Sequence, residues 1–93
     1  MKTRVTFPVD AKTLHVLAKF LERFEKISPE PVRPPKAVLG EDSIIFVEVG
    51  YKTDDDAILI GERMAEVAAD LLDETSVLVV LAPFVAAEAS QTS

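Results

Sequence analysis

The stretch Ser43-Ile44-Ile45-Phe46-Val47-Glu48-Val49-Gly50-Tyr51 constrains this chain more than any other. β-Branched and aromatic residues dominate it, and Gly40-Glu41-Asp42 closes it off upstream, so it predicts a strand. Large apolar side chains occupy both sides of its pleat, which places it centrally in a sheet. A chain of 93 residues has room for one such sheet and one layer of helices against it.

The flanking segments supply those elements. Thr3, Val5 and Phe7 alternate with Arg4 and Thr6, the pattern of a strand with one buried face, and Pro8 ends it. Asp10 is placed to cap a helix from Ala11 to Ile27, whose stripe is Leu14, Leu17, Leu21 and Phe24 with Phe20 and Ile27 beside it. Pro29 disfavours helical geometry at Ser28. Residues 28–35 hold four of the six prolines and read as a stiff, extended connector. Lys36–Leu39 then predicts a short edge strand that turns through Gly40-Glu41-Asp42 into the central one. Thr53 opens a second helix, Asp54 to about Asp73, with three acids in its first turn. Its apolar arc is Ala57, Ile60, Met64, Val67, Ala68 and Leu71, extended by Ile58, Gly61, Ala65 and Leu72. Val77–Ala82 is apolar on both faces, a last strand that Pro83 should end. Residues 1–83 then form one domain and residues 84–93 a flexible tail.

The succession strand, helix, strand, strand, helix, strand predicts an α+β protein. It is the ferredoxin-like βαββαβ pattern, with two helices packed on one face of a four-stranded antiparallel sheet. Right-handed crossovers would order the strands fourth, first, third, second.

Charge narrows the function classes. The net charge is −6, split into +2 over residues 1–46 and −8 over residues 47–93. An acidic domain repels phosphate backbones, so no nucleic-acid partner is expected. Phe46-Val47-Glu48-Val49 resembles half of an RNA-recognition strand motif. The Lys/Arg-Gly start of that motif is missing, and the first strand offers no second aromatic. Without cysteine there is no disulfide or thiolate chemistry. No apolar run approaches the ~20 residues of a membrane span, and the N-terminus lacks a leader's apolar core. A cytoplasmic protein with no membrane partner is the expectation.

No catalytic, metal or cofactor site emerges. Asp54-Asp55-Asp56 point in different directions on a helix and complement its dipole. His15, the only histidine, lies among Lys12, Lys19 and Lys26 without a carboxylate or hydroxyl partner nearby in sequence. What the pattern offers instead is surface for another protein. Lys12, Lys19 and Arg23 recur on one face of the first helix, and Leu59 stands among Glu62, Glu66 and Asp70 on the second. If Ile45, Val47 and Val49 face the helices, then Ile44 and Phe46 face away. One side of the last strand must join them, either Leu78, Val80 and Ala82 or Val77, Val79 and Leu81, and Leu78 and Val80 are taken as that side. Exposing a large apolar side chain forgoes ~1.5–3 kcal/mol, so this face should be a dimer interface.

The expectation is therefore a small acidic non-catalytic interaction module. It would be a homodimer that binds or modulates a larger cellular or host protein, as many phage-encoded inhibitors and regulatory subunits do. Two alternatives carry different chemistry. One is a ligand-sensing regulatory domain, similar in topology to amino-acid-binding domains. The other is a cofactor-free dimeric α/β-barrel enzyme using His15 and a cavity between helices and sheet.

Overall fold

The computed structural model describes residues 3–86 and shows an α+β protein with two helices over a four-stranded sheet. Strand β1 is Arg4–Val5, helix α1 Ala11–Ile27, β2 Lys36–Leu39, β3 Ile45–Tyr51, α2 Asp54–Thr75 and β4 Val79–Val85. The anticipated tail from residue 87 onward lies outside the described residues.

Both helices start where their caps dictate. The Asp10 carboxylate accepts the Thr13 N–H at 2.8 Å, and hydrogen bonding to Thr13 holds that carboxyl below the usual aspartate range. Thr53 Oγ1 accepts the Asp56 N–H at 3.2 Å. Helix α1 ends at Ser28, before Pro29, where the Ser28 N–H closes onto the Phe24 carbonyl at 2.9 Å. Helix α2 runs slightly past Asp73, to Ser76 in the left-handed region (φ 64°).

The buried side of β3 is Ile45, Val47, Val49 and Tyr51. Over it α1 lays Val16, Leu17, Phe20 and Phe24, and α2 lays Ala57, Ile60, Met64, Val67, Ala68 and Leu71. The arc expected on α2 is thus its core face, but its extension is not: Ile58 is 59% exposed, Leu72 39%, and Ala65 is exposed as well. On α1 the stripe is rotated. Val16 is buried, Leu14 is 53% exposed, Leu21 is half-buried and Ile27 lies at the rim. The rotation buries the two phenylalanines fully, and α1 then meets α2 as well as the sheet.

The sheet departs from the expected antiparallel one. It is mixed, in the order β1-β2-β3-β4, with β1 parallel to β2, β2 antiparallel to β3 and β3 parallel to β4. Pairing length supplies the reason. β4 matches β3 residue for residue from Ile45↔Val79 to Tyr51↔Val85, whereas β1 offers only Arg4 and Val5. The longer strand takes the place beside β3, and β1 is left at the far edge, with Arg4 and Thr6 donating to the Pro35 and Ala37 carbonyls. Because both helices share one face and the β3–β4 unit runs opposite to the β1–β2 unit, the two crossovers have opposite hands. Two right-handed ones would require β1 to insert between β3 and β4.

β4 also runs through Pro83 to Val85 instead of stopping at it. The β2–β3 connection is tight: Asp42 (φ 58°) and Ser43 (φ 62°) are both left-handed, and the Ile44 N–H reaches the Glu41 carbonyl at 3.1 Å. That is the mirror-image hairpin turn, which prefers glycine at its second central residue. Ser43→Gly is expected to raise stability by about 1 kcal/mol, read as a higher denaturant midpoint at unchanged slope.

Candidate interaction surface

With both helices on one side, the other side of the sheet is covered by no element among the described residues. Register brings its side chains into rows. Val38, Phe46 and Val80 are directly opposed across β2, β3 and β4. The next row is Arg4, Lys36, Glu48 and Ala82, and beyond it Phe84 lies opposite Gly50. The apolar row is half-buried by its own neighbours, while Phe84 is 45% exposed.

Both aromatics rest on glycine. A Cβ at Gly40 would clash with the Phe46 ring, and one at Gly50 would meet the Phe84 ring at 3.0 Å. The bare backbone at these two positions lets each ring lie down on the sheet, which flattens the face and fixes the aromatics in place.

Of the four residues expected at a dimer interface, Phe46 and Val80 share this row. Ile44 and Leu78 do not. Ile44 belongs to the hairpin turn and Leu78 precedes β4, and both line an open cleft of about 940 Å³ at the end of the sheet, together with Phe7, Asp10, Thr13 and Leu39. His15 stands exposed on α1 and is not among the residues that line this cleft. The polar groups Asp10 and Thr13 in the cleft already satisfy each other as a helix cap.

The chain matches no family model, no curated protein and no solved structure. Its surfaces must speak for themselves.

The charged patches lie on two helices that pack against each other. Lys12, Lys19 and Arg23 are exposed on α1; Glu62, Glu66 and Asp70 are exposed on α2, and Leu59 among them is 45% exposed. Arg23 and Ile27 from α1 and Arg63, Glu66, Val67 and Asp70 from α2 line one groove of about 460 Å³. Arg23 therefore shares a groove with Glu66 and Asp70, while Glu62 lies on the other flank of α2, beside β4. Asp54, Asp55 and Asp56 occupy the first turn of α2. Among the described residues no cluster of three His, Asp or Glu is placed to hold a metal ion, and no helix is long and apolar enough to cross a membrane.

Sequence reasoning missed one surface, the flank of α2 beside the free edge of β4. Its signal was present in Ile58, Ala65, Ala69 and Leu72, which lie just off the centre of the apolar arc. Helical periodicity cannot tell the margin of a core face from an exposed stripe.

Proposed function

We propose that this chain is a small acidic, non-catalytic protein-interaction module that dimerises through the open face of its sheet and binds or modulates a larger cellular protein. One observation carries the reading: Val38, Phe46 and Val80 form a continuous apolar row, flanked by Ala82 and Phe84, on a face that neither helix reaches. The row is already half-buried, so closing it off contributes less per side chain than the ~1.5–3 kcal/mol of a full burial, but a two-fold contact would use every one of them twice. We also read the layout as a ferredoxin-like variant. The element order is the ferredoxin-like one and the helices share a face; the departure lies in where the first strand pairs.

Phe46→Asp tests the dimer. A carboxylate buried in the contact lacks a partner, whereas in a lone protomer it meets water. Sedimentation equilibrium is expected to show a dimeric wild type and a monomeric variant whose circular dichroism is unchanged. A wild type that stays monomeric at high micromolar concentration, or a variant that still dimerises, overturns the reading.

A further inference from the structure

The backbone of β4 is used on one side only. The Ile45 N–H donates to the Leu78 carbonyl at 3.1 Å and the Ala86 N–H to the Tyr51 carbonyl at 2.9 Å. In a parallel ladder these end bonds fix the alternation: Leu78, Val80, Ala82, Phe84 and Ala86 turn their peptide groups toward β3. Val79, Leu81, Pro83 and Val85 therefore turn theirs outward. β4 is the terminal strand of the sheet, and no backbone partner for these groups occurs among the described residues. Pro83 sits at an outward position, where its missing N–H costs the β3 ladder nothing.

Above this edge lies the apolar flank of α2, with Ile58 59% and Leu72 39% exposed and Ala65 between them. Two hollows of about 540 and 320 Å³ follow the seam between α2 and β4. Asp54 and Glu62 line the first, and no Lys or Arg lines either. An open strand edge under an apolar ledge is the arrangement that accepts an added strand.

We propose that the β4 edge binds an extended segment of a partner protein as an added strand. Its helix-facing side chains would be apolar at the centre, against Ala65 and Ile58, and basic at the end that reaches Asp54 and Glu62. The occupant is inferred from charge: the rim at the Val85 end of the seam carries two carboxylates and no cation, which a basic-ended segment complements and a second copy of this edge is not needed to explain. The inference rests on the reading of the chain as an interaction module and names the partner's chemistry; it does not require the sheet-face dimer.

The probe is the heptapeptide Lys-Thr-Val-Thr-Val-Thr-Lys, which presents Lys, Val, Val and Lys to the helix side in either strand direction. It is titrated at low salt into ¹⁵N-labelled wild type and into Phe46→Asp, so that loss of the dimer and loss of peptide binding are read separately. The expected result is saturable binding to both, with amide shifts centred on Val79, Leu81, Val85, Ile58 and Ala65. Leu81→Pro removes an outward N–H, and Ala65→Glu obstructs the ledge; each should weaken binding about tenfold. The Glu-ended analogue should bind worse than the Lys-ended peptide, and Glu62→Lys should narrow that preference. Absent saturation, shifts centred elsewhere, or equal affinity for the two peptides overturns the proposal. So does a wild-type dimer that Ala65→Glu alone dissociates, since that assigns the edge to a second copy.

Discussion

Phe20→Ala is expected to cost about 3–5 kcal/mol, a large share of the ~5–15 kcal/mol available to a domain of this size. The ring is fully buried, in a core shared with β3 and α2. Truncation leaves a cavity that two helices and a sheet cannot close together, so the loss combines the transfer term with an unfilled volume. Leu14→Ala, in the same helix, should stay within about 0.5 kcal/mol because its side chain is 53% exposed. Denaturant melts of the two variants decide which face of α1 is inside. Equal costs would restore Leu14 to the buried stripe with Leu17, Leu21 and Phe24.

Ile60→Ala and Ile58→Ala make the corresponding comparison on α2, with the same residue type two positions apart. Ile60 is fully buried, and its truncation should cost about 2–5 kcal/mol. Ile58 projects along the seam beside β4 at 59% exposure, and its truncation should move stability by less than about 0.5 kcal/mol. Thermal unfolding followed by circular dichroism separates them. A costly Ile58→Ala would place that residue in the core and remove the ledge over the β4 edge.

What the sequence revealed is what short-range chemistry controls. Asp10 and Thr53 cap their helices, Pro29 stops α1, and the central six residues of the α2 arc are the buried ones. The pairing of Lys36–Leu39 with the central strand was legible because the turn joining them is short. Strand order was not, because it depends on competition between distant partners. Alternation in Thr3–Phe7 says that a strand is favoured there, not that two residues of it pair, nor with which neighbour. Pro83 misled for a related reason: a proline breaks a ladder only where its nitrogen faces a partner strand, and no local pattern tells which way it faces. Phe46 was legible as outward from its alternation with Ile45, whereas Val80 belonged to one of two possible sets, because Val77–Ala82 is apolar on both faces and only the fold shows Val79 inside. Ile44 and Leu78 were not, since both lie outside the regular strands, where alternation no longer applies.

Tyr51 ties two of these elements together. Its hydroxyl lies 2.7 Å from Ser28 Oγ at the end of α1, its ring is fully buried, and desolvation pushes the phenol above the ordinary tyrosine range. It is also the only tyrosine in a chain that has no tryptophan. The near-ultraviolet signal of the molecule accordingly comes chiefly from one ring at one corner, where α1 ends and β3 finishes. Fluorescence and near-ultraviolet dichroism thus act as a local gauge of that junction. Tyrosine fluorescence will miss events on the open sheet face unless they loosen that junction, and a reporter placed there is needed to watch them.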